Sequence, residues 1–202
     1  MKKKIILYIS LFCILCLTGV YASRFMFPQL VEAQGKYFLY DSIETLQKDS
    51  QFIVEVQVIE KKNSVITYTE DKCPYSGHTP VTVKVLKSLP GDSMLENKEI
   101  TIHEYYYNYI TPIGSYLMTE EGYIPMKING KYLLFLAEDK DGGFFTIGPG
   151  FQGKYVVTEE GMIDNIDSAT KEDLEIGEGA DINHYRKLYR EVKKFKETYD
   201  GK

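Results

Sequence analysis

Six apolar residues in succession, 132–137 (Tyr-Leu-Leu-Phe-Leu-Ala), constrain this chain more than any other stretch. A strand with one wet face alternates polar and apolar residues. This run does not, which predicts a strand buried on both faces. Asp139-Lys140-Asp141-Gly142-Gly143 then reads as a hairpin turn into a second strand over 144–147. Gly148, Gly150 and Gly153 bracket Pro149, a density of glycine expected at a bulge or sharp bend where a sheet turns a corner. Residues 154–157 resume as strand. The expectation is the closing half of a small β-barrel or sandwich.

The N-terminus bears on location. Met1-Lys2-Lys3-Lys4 precedes eighteen uncharged residues, 5–22. A basic start and an apolar run characterise a segment that enters a membrane with its lysines on the cytoplasmic side. Val20 and Ala22 supply the small residues that signal peptidase needs for cleavage before Ser23. At roughly 1.5 Å per helical residue, the same run just spans about 30 Å of hydrocarbon. The segment is read as a signal peptide or, uncleaved, as a membrane anchor. Either way the rest of the chain is expected outside the cytoplasm, secreted or held at the membrane. Cys13 and Cys16 lie inside the run, and neither follows the small residue that a lipoprotein signal requires.

Without residues 1–22, which hold three lysines and no acid, 21 basic and 29 acidic residues remain, a formal net charge of −8. Nucleic-acid binders carry basic surfaces, so no nucleic-acid partner is expected. The remaining length suits one domain with a real core. Cys73 is the one cysteine beyond the leading segment, so packing, and no internal disulfide, must hold the domain together. Seventeen tyrosines and no tryptophan suit β structure.

In chain order, 23–40 reads as a tether and Asp41-Ser42 as the cap of a short helix over 43–47. Strands are expected over 51–61, where Phe52, Val54, Val56 and Val58 share a face, and over 65–69. Residues 70–78 read as a polar loop. Val81, Val83 and Val85 give the plainest two-residue alternation, ended by Pro90-Gly91-Asp92, and Ile100 with Ile102 marks another strand. Residues 105–126 read as the longest irregular stretch, and a last turn at Glu159-Glu160-Gly161 leads to a short strand over 162–166. The period then changes. Asp181 is placed to cap a helix whose apolar stripe runs through Ile182, Tyr185, Leu188, Tyr189, Val192, Phe195 and Tyr199. The predicted organisation is 1–22 signal or anchor, 23–40 tether, 41–166 β domain, 167–180 acidic linker and 181–202 C-terminal helix.

Phe52-Ile53-Val54-Glu55-Val56, residues 81–87, residues 98–102, and residues 131–136 with Gln152-Gly153-Lys154 resemble a family of uncharacterised exported bacterial domains. Those domains are similar in turn to the OB-like barrel of the tissue-inhibitor-of-metalloprotease (netrin-like) modules. The resemblance covers roughly 41–166. It implies a mainly-β fold, a small OB-like barrel or sandwich with the amphipathic helix beside it. Tissue inhibitors dock through an N-terminal cysteine and are rich in disulfides. This chain has neither, so the inhibitory role does not carry over.

Few constellations carry chemistry. Cys73 and His78 sit five apart, a thiolate–imidazole pairing that can act as a nucleophile or bind a metal, but a structural zinc takes four ligands and the only other histidines are His103 and His184, which favours a loop with a lone thiol. Asp139 and Asp141 have the spacing of a calcium loop, yet Gly143 and Gly150 stand where that loop needs oxygen ligands. No nucleophile elbow, phosphate loop or His-Glu-x-x-His motif occurs. No catalytic residue, metal or cofactor is therefore assigned. Tyr105, Tyr106, Tyr107 and Tyr109 form the binding candidate, because tyrosine rings offer flat apolar faces with a polar tip for sugars or peptides. The bland alternative packs them on the core. Residues 159–181 hold nine acids against Lys171, and the helix after them is basic. That distribution complements the helix dipole or presents a cationic face to an anionic membrane or wall polymer. The resulting expectation is a non-enzymatic extracytoplasmic binding module at a bacterial cell surface, its partner an extracellular protein or cell-wall polymer. The alternatives are a secreted inhibitor or immunity-type protein acting on a hydrolase and, third, a hydrolase without a recognised motif.

Overall fold

Alternation at Val54, Val56 and Val58 and at Val81, Val83 and Val85 places one face of each strand inward, and all six side chains are fully buried. A computed structural model of the chain describes residues 2–33, 38–89, 94–139, 142–148 and 150–201, with side chains from Tyr8 onward. The elements in order are α1 (Lys2–Met26), β1 (Gln29–Ala33), α2 (Ile43–Lys48), β2 (Phe52–Lys61), β3 (Val65–Tyr68), β4 (Pro74–Leu89) and β5 (Glu99–Glu104). Then come β6 (Tyr106–Thr111), β7 (Gly114–Glu120), β8 (Lys131–Asp139), β9 (Phe144–Ile147), a 3-10 turn (Gly150–Gly153), β10 (Lys154–Thr158), β11 (Gly161–Met162) and α3 (Ile182–Asp200). The expected turn residues Lys140 and Asp141, the strand end at Pro90-Gly91-Asp92, and Pro149 lie outside the described residues.

By contact density the chain divides into two units, 1–31 with 108–118, and 32–107 with 119–202. In the larger unit β2, β4, β5, β9 and β8 close into a five-stranded barrel. Four of its five pairings are antiparallel, and β5–β9 is parallel. Numbered among themselves, the barrel strands run 1-2-3-5-4-1. The fold is thus mainly β, an OB-like barrel with a C-terminal helix. Register shifts in β2 at Glu55/Val56 and Val58/Glu60 supply the bends that closure needs.

The apolar run on β8 is buried on both faces, as its lack of alternation predicts. Tyr132 and Leu134 share the inward parity of Val56 and Val54, their register partners on β2, and Leu136 follows on the same face opposite Phe52. Leu133 and Phe135 point the other way, and Phe135 meets the ring of Tyr155 edge to face at 5.8 Å. Tyr155 in turn stacks on Tyr185 of α3 at 5.4 Å and 17°. The helix therefore seals the outer side of β8, with Tyr185, Leu188, Tyr189 and Val192 buried along one stripe. Asp181 caps it, accepting from the backbone N–H groups of Asn183 and His184. The glycine-rich corner lets β9 leave the barrel and β10 return along the other half of β8. Gly150 there has a left-handed φ of 54°, and a Cβ at Gly153 would press to 3.0 Å from Ile147 Cγ2.

Three segments differ from expectation. Residues 23–40 do not form a plain tether: α1 continues to Met26, and Gln29–Ala33 joins β7 and β6 in a three-stranded sheet. The stretch 105–126 carries the β6–β7 hairpin, whose mixed turn and tyrosine content masks the alternation. The acidic segment 167–180 is packed, with Ala169, Leu174, Ile176 and Ala180 in the core. Its sparse apolar residues have neither period, so burial there could not be read from pattern.

Candidate functional site

Two polar clusters stand out in the larger unit, one sealed and one open. The sealed one closes an end of the barrel, where inward parity brings Glu104 of β5, Lys154 of β10 and Tyr132 of β8 inside. Tyr123 Oη donates to Glu104 Oε1 at 2.5 Å, and the Met126 N–H donates to the same oxygen at 2.9 Å. Lys154 Nζ donates to the carbonyls of Ile124 (2.5 Å) and Glu175 (3.0 Å) and lies 4.9 Å over the Tyr123 ring. Glu175, at a left-handed φ of 51°, also accepts from Tyr132 Oη at 2.7 Å and pairs with Lys127 at 2.8 Å. Burial pushes the Glu104 carboxyl pKa up, opposed chiefly by the charge of Lys61, and the Lys154 ammonium down to about 8, opposed chiefly by Glu104. Among the described residues Glu104 Oε2 has no hydrogen-bond partner. Lys154 is fully buried and Glu104 is 1 % exposed, so no ligand reaches this cluster and its chemistry is structural.

The open cluster lies on the outer face of β4, β5 and β9. The same pleat that turns Thr79, Glu104 and Phe145 inward turns His78, His103 and Phe144 outward. Their rings stack in one row: His78 on His103 at 4.2 Å and 16°, His103 on Phe144 at 3.7 Å and 15°. Tyr105, one residue past the end of β5 and 42 % exposed, is hydrogen-bonded to Thr146 of β9. Val65 sits opposite His78 in the β3–β4 hairpin, and exposed Tyr68 and Tyr75 lie toward its end. Partial burial lowers the pKa of both imidazoles. His103 is lowered further by His78 and partly restored by Asp139. Neutral at neutral pH, the row offers flat apolar edges and imidazole nitrogens on a rigid sheet.

The four tyrosines named from sequence do not assemble on one surface. Tyr105 extends the ring row. Tyr106 is buried, its carbonyl accepting from Thr79 Oγ1 at 2.9 Å and its ring 5.1 Å beneath Lys61 Nζ. Tyr107 packs over Gly77, where a Cβ would sit 2.5 Å from the ring. Tyr109 belongs to the smaller unit. Sequence reasoning weighed His78 as the partner of Cys73 in a nucleophilic or metal-binding pair, and His103 as a further ligand. The alternation through Ile100 and Ile102 was the signal that sends His103 outward.

Cys73 lies at the hairpin turn with Sγ 3.9 Å from the Asp71 carbonyl, while His78 is engaged in the stack. Among the described residues no group of three or more His, Cys, Asp or Glu is arranged to hold a metal. Three of the six basic residues of α3 meet acids directly: Arg190 pairs with Asp167, Lys193 with Asp164, and Lys196 with Glu55 and Asp200.

Fold and face together define an OB-like barrel with an aromatic outer surface. No protein-family model matches the chain, and no curated protein matches it.

Proposed function

We propose that this chain is a non-enzymatic extracytoplasmic binding module at a bacterial cell surface, and that the outer face of β4, β5 and β9 is its binding surface. The observation that carries this reading is the stacked row His78–His103–Phe144 with Tyr105 beside it. OB barrels bind through the face of their second and third strands and the loops flanking it. In this barrel those strands are β4 and β5, and the flanking connections are β3 with its turns and the β8–β9 turn. Flat rings with polar edges suit an extended neutral ligand, and the acidic balance disfavours a polyanion. The ligand class proposed is a cell-wall glycan.

The test is retention on purified, insoluble wall glycan, read beside the melting temperature. His103→Ala combined with Tyr105→Ala is expected to abolish retention while lowering the melting temperature by only a few degrees. Undiminished retention by a folded double variant removes this face from consideration. Stoichiometric slowing of a protease or wall hydrolase, with no retention on glycan, would reassign the face to a protein partner.

A further inference from the structure

The smaller unit contains an anomaly that glycan binding does not use. The β6–β7 hairpin turns at Pro112-Ile113, a two-residue connection where Asn, Asp and Gly are the usual residues. Instead of a polar tip it presents Ile110 at 69 % and Ile113 at 61 % exposure, flanking exposed Pro112. Paired bulky aliphatics at a hairpin tip have no use in water, because nothing within the unit covers them.

The tip lies against the C-terminal end of α1. Tyr21 Oη donates to the Pro112 carbonyl at 2.7 Å. Gly114 lies against Arg24, whose carbonyl oxygen would be 3.4 Å from a Cβ placed there. The helix carries a span of 19 residues, Tyr8–Met26, with mean hydropathy 1.7 and no burial within the protein. At about 1.5 Å per residue this span is roughly 28 Å long, close to the hydrocarbon thickness of a bilayer. Its far end has tyrosine and arginine, the residues that settle at the boundary between acyl chains and water. The isoleucines therefore sit at the level where α1 leaves the hydrocarbon, and their apolar surface is continuous with that of the helix.

We infer that α1 stays in the mature protein as a membrane anchor, and that the β6–β7 tip is a second membrane contact, seating Ile110, Pro112 and Ile113 in the lipid interface beside Tyr21. A signal peptide destined for removal has no use for contacts to a distant hairpin, whereas an anchor gains a fixed seat from them. The occupant of the patch is lipid, since an apolar surface joined to a bilayer-spanning helix meets lipid before any soluble partner. This inference stands or falls separately from glycan binding.

The chain contains no tryptophan, so one introduced indole reports without background. The full chain carrying Ile113→Trp would be reconstituted in vesicles of phosphatidylcholine and phosphatidylglycerol. The expected emission is blue-shifted from that of a solvated indole, protected from aqueous iodide, and quenched by lipids brominated near the headgroup. Ile110→Trp repeats the measurement at the other side of the tip in case the first substitution disturbs the turn. Free iodide quenching in both variants, with no effect of brominated lipid, overturns the membrane seat. The mass of the chain isolated from its host tests retention: an intact N-terminus in the membrane fraction is expected, and a mass beginning at Ser23 overturns it.

Discussion

Glu104 and His103 are consecutive on β5, yet the pleat sends one into the barrel and the other onto its outer face. Around Glu104 gather Lys154, Tyr123 and Tyr132, all sealed from water. Around His103 gather His78, Phe144 and Tyr105, all at least partly open. Both clusters mix aromatic rings with ionisable groups, and composition cannot tell them apart. Solvent access decides their roles. A closed network is bound to cost stability when broken, whereas an open row can be altered at little cost and is free to meet a ligand.

The largest expected effect lies inside. Lys154→Met removes a buried cation, frees the carbonyls of Ile124 and Glu175, and takes away the smaller of the two positive charges, after Lys61, that offset the burial of Glu104. Each buried carbonyl left without its donor costs about 1–3 kcal/mol, read as a lowered midpoint of denaturant unfolding. Glu104→Gln should cost less, about 1–3 kcal/mol, because the amide oxygen still accepts from Tyr123 and Met126. In a double-mutant cycle the pair should lose less than the sum of the singles. Strict additivity would show that Glu104 and Lys154 do not sense each other, and would break the account of the sealed end as one network.

How far the sequence announced these regions depends on period. The valine alternations of β2 and β4 and the stripe of α3 follow from a repeat of two or of about 3.6 residues, and the six-residue run on β8 from the absence of any polar break. Each of them was legible. The β3–β4 hairpin was not, because Pro74, Gly77 and Pro80 interrupt a strand of sixteen residues and made its first part look like loop. His78 lies in that part, so the ring row lost a member at the sequence level. Lys154 was illegible for another reason. A lysine opening a strand reads as solvated, and only the closure of the barrel end by residues 123–126 and 175 buries it. Tyr106 and Tyr107 were conspicuous by composition, but their burial depends on β4 and β2, elements far away in sequence.

On the outer face, the contrast predicts a separation of stability from binding. His103→Ala removes the middle ring of the stack, a loss of about 1 kcal/mol from two aromatic contacts. Glycan retention should nevertheless fall to background. A stability loss as large as that of Lys154→Met would make the row a structural element like the sealed end, and the comparison would fail.

The smallest effect is the one acid should produce, and its direction follows from the imidazoles. Both His78 and His103 have pKa values lowered in the folded protein, chiefly by partial burial, and at His103 also by His78. Asp139 opposes the shift at His103. The unfolded chain therefore binds protons more readily than the folded one once pH drops below about 6.5. The row's contribution to stability is complete above that value and fades as pH falls through it toward the folded pKa values, where two cations would face each other at 4.2 Å between centroids. Unfolding midpoints measured from pH 7.5 down to pH 5 should show this decline, and His78→Gln should flatten it by removing one of the two charges. Glycan retention should weaken over the same interval, since protonation changes the edges that the ligand meets. The sealed end contributes oppositely from Glu104, whose raised pKa means the folded chain keeps its proton at a pH where the unfolded one has lost it. A decline that survives with its full slope when His103→Gln is added to His78→Gln would detach the acid sensitivity from the ring row.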